Sequence, residues 1–124
     1  MIEVKGVNDC FEVKYEGQGV SLNKFYSQGH WSTRNNIKNK YKPIISDLLK
    51  DNNVPKMDEF GLIIEYNSRH DPDNVTGMEK LFVDSMKENE LIIDDHKKYY
   101  KFYCVVPNLE LDNNTFIFKI YKIK

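Results

Sequence analysis

The sequence has little cysteine, no long apolar run and no basic, apolar leader. Its 124 residues include two cysteines, Cys10 and Cys104, with no partner Cys or His at zinc-ligand spacing, so we expect neither a zinc site nor a disulfide scaffold. The apolar runs are only a few residues long, as at Leu62–Ile64, whereas a membrane span needs about 20. Without a secretory signal, we expect a cytoplasmic protein with no membrane partner.

Length and composition are those of one globular domain. Apolar residues make up 40% of the chain and charged residues 30%, and the chain is too rich in aromatic residues for disorder. Two separate cores in 124 residues would both be marginal. We therefore predict a single domain over residues 1–124.

The charged residues are unevenly distributed although the net charge is only −1. Residues 17–46 contain no Asp or Glu but five Lys or Arg, whereas residues 58–95 contain eleven carboxylates. A basic segment and an acidic segment in one chain suit a protein that holds a polyanion beside a metal site. Two separate solvated faces would produce the same pattern, and charge alone does not decide between them.

Apolar periodicity predicts an α/β (α+β) fold with a mixed β-sheet, two main helices and the order β-β-α-β-α-β-β. Strands are predicted at Ile2–Val4, Phe11–Tyr15, Phe60–Tyr66, Tyr99–Val106 and Thr115–Ile123, with a turn at Gly6–Asp9 and a loop over Gly17–Ser32. Helices are predicted from about Ser32 to Asp51, with Pro43 as a kink or a new first turn, and from an N-cap at Asp73 or Asn74 to about Asn89. We expect the last two strands to pair as an antiparallel hairpin.

An acidic turn, Asp71-Pro72-Asp73-Asn74, follows the predicted strand Phe60–Tyr66. In an extended segment Asp71 and Asp73 would project to the same side, where their mutual repulsion favours a bound cation. Magnesium or manganese suits such oxygen ligands. A capped loop is the alternative interpretation of this motif alone.

Two further features strengthen the metal hypothesis. The apolar run Leu91–Ile93 ends in Asp94 and Asp95, so a third carboxylate could reach the same site. Lys80, on the intervening helix, could place an ammonium beside a scissile phosphate. The alternative for Lys80 is an ordinary solvent-facing helix position.

These motifs resemble, in order and spacing, the signature of the RusA-type Holliday-junction resolvases, especially their phage-borne members. The resemblance rests on the stretches Arg69-His70-Asp71-Pro72-Asp73-Asn74, Lys80-Leu81-Phe82-Val83-Asp84 and Leu91-Ile92-Ile93-Asp94-Asp95, and on Ser21-Leu22-Asn23-Lys24 with Tyr26, His30-Trp31-Ser32 and Arg34. It spans roughly residues 20 to 123. Two departures stand out: the lysine follows the second aspartate later than in the prototype, and only Arg69 and His70 replace its several arginines.

The resemblance implies a homodimeric, Mg²⁺-dependent endonuclease that binds four-way DNA junctions and cuts paired strands symmetrically. Such an enzyme would act in recombination, repair or phage DNA processing, in a bacterial or phage-infected cell, without a small-molecule cofactor. The family's acidic triad falls on Asp71, Asp73 and Asp95, which would hold Mg²⁺ or Mn²⁺, and its lysine falls on Lys80.

Supporting roles follow for other residues. Asn74 and Asp94 would orient the metal-binding carboxylates, although Asn74 could instead cap the helix. Candidate DNA contacts are Asn23, Lys24, Trp31, Arg34 and Arg69, with packing at the helix start as the alternative for Trp31. Three other functions stay open: a non-catalytic DNA-binding or interference protein on the same scaffold, a nuclease for a broader range of branched DNA, and a purely structural interaction protein.

Overall fold

The computed structural model describes residues 7–20 and 31–123. Within these residues, four strands form one mixed sheet and two helices cover one of its faces. The elements, in chain order, are β1 (Val7–Glu16), α1 (Trp31–Asp51), β2 (Glu59–Asn67), a 3₁₀ turn (Pro72–Val75), α2 (Thr76–Glu88), β3 (Tyr100–Pro107) and β4 (Thr115–Ile123). The predicted fold class and element order are confirmed. The predicted strand at Ile2–Val4 lies outside the described residues.

The helices pack on the sheet through the apolar stripes that their periodicity predicts. In α1 the buried residues are Ile37, Tyr41, Ile45 and Leu49, spaced four apart, whereas Ile44 is exposed. The helix continues through Pro43, which is also exposed. Among the described residues, neither helix is long and apolar enough to cross a membrane.

The predicted hairpin of the last two strands is wrong. The strand order is β1-β4-β2-β3, so β2 lies between β3 and β4. β3 pairs with β2 in parallel, and β4 pairs antiparallel with both β1 and β2. The physical reason lies in burial: β2 has buried residues on both faces and takes a central position beside β4, whereas no residue of β3 is fully buried and this strand lies at the edge.

Two local predictions at element ends are also wrong. The turn predicted at Gly6–Asp9 is strand from Val7 onward, with a register shift between Val7 and Asp9 that absorbs the extra residue. Asp73 and Asn74 lie inside the 3₁₀ turn, and the N-cap position of α2 is Val75, which has no capping side chain. The backbone turn at Pro72 therefore replaces the predicted side-chain cap.

The sheet face that does not carry the helices is called the outer face here. The strand registers place on it Cys10, Glu12, Gly61, Ile63, Glu65, Phe102, Cys104, Val106, Ile117, Lys119 and Tyr121. Lys119 pairs with Glu65 and, at 3.8 Å, with Glu12, and the rings of Phe102 and Tyr121 lie 5.7 Å apart. Cys10 and Cys104 are free thiols at exposed positions.

Candidate metal and nucleic-acid site

The acidic turn is held by the end of β2. Tyr66 is buried, stacks on Phe116, and donates a 2.8 Å hydrogen bond from its hydroxyl to the carbonyl of His70. The backbone N–H of His70 donates to the hydroxyl of Ser68 at 3.2 Å. These bonds fix the residues that lead into Asp71.

Asp71 and Asp73 both project from this turn as exposed carboxylates. Asp71 is extended (φ −73°, ψ 157°), but Asp73 lies in the 3₁₀ turn, so the segment is not extended through both residues as the prediction assumed. Their charges nonetheless act on one group: burial raises the pKa of Tyr66, and both carboxylates raise it further. Neither carboxylate makes a hydrogen bond or ion pair with a described side chain.

Asp95 lies with a different group of residues. Asp71 follows the carboxyl end of β2, whereas Asp95 precedes the amino end of its parallel neighbour β3, so the chain brings them in at opposite ends of the strand pair. Asp95 is exposed and contributes to raising the pKa values of Glu79, Asp84 and Tyr100. Within this chain, Asp95 therefore acts on the flank of α2, whereas Asp71 and Asp73 act on Tyr66.

The donor atoms of the acidic turn suit a magnesium ion. Mg²⁺ in proteins is often held by one or two carboxylates and keeps waters or substrate phosphates as its other ligands. Asp71 and Asp73 supply two such carboxylates. Across residues 7–20 and 31–123, no three His, Cys, Asp or Glu side chains are placed together as a ligand set for a metal, so the predicted triad is not assembled here.

The other predicted catalytic residues lie along α2 and the loop that follows it. Lys80 is half-buried, and its charge lowers the pKa of the adjacent Glu79. Asp94 accepts hydrogen bonds from Lys87 (2.9 Å) and from the backbone N–H of Asp95 (2.8 Å). These bonds, Lys87 first, lower the pKa of Asp94 to about 2. Asp94 thus orients the backbone at Asp95.

Asn74 is half-buried in the 3₁₀ turn, and its backbone N–H donates to the carbonyl of Asp71 at 2.9 Å. This bond closes the turn around Pro72. His70, just before it, has its pKa lowered by burial and by the charge of Arg69. The imidazole next to the acidic turn is therefore neutral at neutral pH and adds no positive charge there.

Among the predicted DNA contacts, Arg69 is exposed directly beside the acidic turn. The backbones of Trp31 and Arg34 belong to the start of α1, and their side chains lie outside the described residues, as do Asn23 and Lys24. Part of the positive charge of α1 is balanced within the fold. Lys42 pairs with Glu88, and Lys38 and Lys42 both lower the pKa of Asp84.

The loop that follows β1 is anchored close to the same end of the molecule. The hydroxyls of Tyr15 and Tyr41 both donate to the carbonyl of Gln18, at 2.9 and 3.0 Å. The backbone N–H of Val20 donates to the sulfur of Met78, in the first turn of α2, at 3.3 Å. Val20 therefore lies against the beginning of the helix that the acidic turn introduces.

Sequence reasoning missed Glu79, which is 9% exposed and accepts a 3.0 Å hydrogen bond from the hydroxyl of Tyr100. Burial raises its pKa. A signal was present, because Val75, Glu79, Phe82 and Met86 recur at helical spacing and the other three are apolar. A carboxylate at such a position marks a buried charge that needs a partner.

The hydroxyl of Tyr66 was missed as well, since a tyrosine in an apolar strand gives no sign of the carbonyl that it binds. Together, the geometry provides an exposed carboxylate pair on a turn fixed by Tyr66, and a second acidic group around Glu79 and Asp95.

No family model matches this chain, and no significant match to a curated protein was found.

Proposed function

We propose that this protein is a Mg²⁺-dependent endonuclease that cuts branched DNA, with four-way junctions as its preferred substrate, and that it acts as a homodimer. The observation that carries the proposal is the pair of exposed carboxylates of Asp71 and Asp73, without partners among the described residues, on a turn anchored to the end of β2. The motif resemblance to RusA-type resolvases supplies the substrate class.

The chemistry of the pair supports metal binding. Two neighbouring carboxylates without a cation repel each other, which costs free energy unless positive charge lies nearby. Asp71 and Asp73 would hold the ion, and a bound Mg²⁺ lowers the pKa of a water and polarises a phosphate. Arg69 beside the turn would contact the DNA backbone.

Asp95 and Lys80 take less direct roles in this proposal. Asp95 lies near Glu79 and Asp84, so in this protomer it is a candidate third ligand only through a change in the loop between α2 and β3. Lys80 on α2 remains the candidate for stabilising charge on the phosphate. Variants of both residues separate these roles from those of the acidic turn.

The test is cleavage of a labelled four-way junction in Mg²⁺, beside a linear duplex and an EDTA control. We expect symmetric nicking by the wild type, and at least a roughly 100-fold loss in Asp71→Asn and Asp73→Asn, as for removal of a group that stabilises the transition state. Asp112→Asn, an exposed aspartate in the loop before β4, is the matched control and should cut normally. Wild-type activity in Asp73→Asn would overturn the proposal.

A non-catalytic branched-DNA-binding protein is the second candidate. It is favoured by one observation, the separation of Asp95 from the Asp71–Asp73 pair. Electrophoretic mobility shifts with the same junction distinguish the two functions. Tight junction binding without cutting in Mg²⁺ or Mn²⁺ would establish the second candidate, and absence of both binding and cutting would exclude both.

A further inference from the structure

β3 forms one edge of the sheet. Within the described residues no strand lies beyond it, and β2 is its only partner. Along an edge strand, alternate backbone N–H and C=O groups point away from the sheet and can pair with another strand. Proteins usually protect such edges with charged residues, proline or a covering segment.

The two edges of this sheet are protected differently. β1, at the opposite edge, carries Glu12, Lys14 and Glu16, and its inward residues Val13 and Tyr15 are already buried. β3 carries a single charge, Lys101, and a proline only at its last position. The apolar surface of the sheet is therefore left open at the β3 edge.

Residues on both faces of β3 remain half-exposed. Phe102 and Val106 lie on the outer face, and Tyr103 and Val105 lie on the helix-covered face. One additional strand beside β3 would cover all four side chains. A partner that bound only one face of the sheet would leave two of them in solvent.

We propose that β3 pairs antiparallel with β3 of a second copy of this chain, centred on Cys104, so that two four-stranded sheets form one continuous sheet. In this register Phe102 faces Val106 of the other copy, and Tyr103 faces Val105. Pairs of an aromatic with a β-branched residue are among the favourable cross-strand combinations. Lys101 faces Pro107, so no like charges oppose each other.

Self-complementarity favours a second copy over an unrelated peptide. With a two-fold axis at Cys104, each pair of an aromatic and a β-branched residue occurs two times in the dimer. The axis also matches the backbone groups of one edge with those of an identical edge. The inference specifies the interface of the homodimer in the proposed function. It does not depend on the Asp71–Asp73 pair, so a failure of DNA cleavage and a failure of β3–β3 pairing can be told apart.

The two cysteines allow a direct test. The register places the Cα atoms of the two Cys104 residues about 4.5–5.5 Å apart, which is within disulfide range. Under mild oxidation, the Cys10→Ser variant should form a covalent dimer through Cys104. The Cys104→Ser variant keeps Cys10 on the far edge of the sheet and should stay monomeric on a non-reducing gel.

Thiol reactivity must be matched between these variants, because burial raises the pKa of Cys10. The rate of reaction with a small aromatic disulfide, measured for each variant, sets the oxidation times. Equal cross-linking through Cys10 and Cys104, or none through Cys104 at any protein concentration, would overturn the proposal.

A second experiment needs no oxidation. Val106→Lys places a charge at the pairing edge, and sedimentation velocity should then show a monomer where the wild type shows a dimer. Ile117→Lys places the same charge on the outer face of central strand β4 and should leave the dimer intact. Circular dichroism melts confirm that both variants fold. A wild type that is monomeric throughout, or a Val106→Lys variant that still dimerises, would contradict pairing through β3, whatever the junction-cleavage assay shows.

Discussion

The hydroxyl of Tyr100 donates a 3.0 Å hydrogen bond to Oε2 of Glu79, and this bond links β3 to α2. The ring of Tyr100 also stacks on Phe60 with 4.6 Å between centroids. The bond thereby holds Glu79 at a helix position whose neighbours on the same face are apolar. Burial raises the pKa of Glu79, and the charges of Asp84 and Asp95 raise it further, against the opposing effects of Tyr100 and Lys80.

The first prediction concerns pH. A raised carboxyl pKa means that the folded protein keeps this proton at pH values where the unfolded chain has lost it, so the contribution of Glu79 to stability falls as pH rises above 4.5. Glu79→Gln removes the charge but keeps an oxygen for Tyr100. We expect this variant to be more stable than wild type at pH 7.5, with the advantage vanishing towards pH 4.5.

Urea denaturation of both proteins across this range measures the difference in the free energy of unfolding. Taking the difference cancels the contribution of His70, whose lowered pKa acts in the opposite direction. Glu110→Gln, at an exposed position, is the control for the loss of a surface carboxylate. A Glu79→Gln difference that does not change with pH would contradict the prediction.

Much of the fold was predictable because burial imposes periodicity. The stripe Val75, Met78, Leu81, Phe82 and Met86 gives α2 directly, and all five residues are buried. The β3–β4 connection was not predictable in this way. A polar turn between two apolar strands is typical of a hairpin, and nothing in the local pattern reports that β2 separates them.

The site was predictable to the extent that it is local in sequence. The position of Asp71 and Asp73 after β2 follows from the strand boundary and Pro72. The surroundings of Asp95 depend on how the loop after α2 crosses to β3, which is a tertiary property. Glu79 interrupts an apolar stripe, and that interruption was the signal for a buried carboxylate.

The second prediction concerns Gly61, in the centre of the sheet. A Cβ added to Gly61 would lie 2.1 Å from two atoms of the Phe102 ring, which covers this glycine on the outer face. Gly61→Ala must displace the ring and should lower the free energy of unfolding by about 1–3 kcal/mol. In a double-mutant cycle, Phe102→Ala should remove most of this penalty. Purely additive effects would show that the ring does not restrict position 61.

The third prediction concerns Ser85, which is fully buried in α2. Its hydroxyl has no hydrogen-bond partner within the described structure. Because an unsatisfied buried polar group costs about 1–3 kcal/mol, Ser85→Ala should stabilise the protein by about 1 kcal/mol. Ser46→Ala is the control, since that hydroxyl accepts a 3.0 Å bond from Asn89 and its loss should destabilise. Thermal and urea unfolding should both rank the variants in this order.

The last prediction concerns the anchor of the acidic turn. Tyr66→Phe keeps the stacked ring but removes the bond to the carbonyl of His70, at a cost of about 1 kcal/mol. The loss is local to the turn, so the amide of Asn74, which donates to the carbonyl of Asp71, should exchange with solvent faster. Tyr103→Phe is the matched control, because that hydroxyl lies 3.4 Å from the hydroxyl of Thr76, the residue that follows the turn, and not against the carbonyl of His70.

Magnesium binding extends the same comparison. A ligand that binds only the folded state stabilises it by RT ln(1 + [L]/Kd), so the melting temperature rises as the ligand concentration increases relative to Kd. If Asp71 and Asp73 hold Mg²⁺, loosening the turn reduces the Mg²⁺-dependent shift in Tyr66→Phe and not in Tyr103→Phe. A Mg²⁺-dependent rise in melting temperature that survives in both Tyr66→Phe and Asp73→Asn would place the ion elsewhere, for example near Asp84 and Asp95. In that case faster exchange of the Asn74 amide in Tyr66→Phe would still identify Tyr66 as the anchor of the turn.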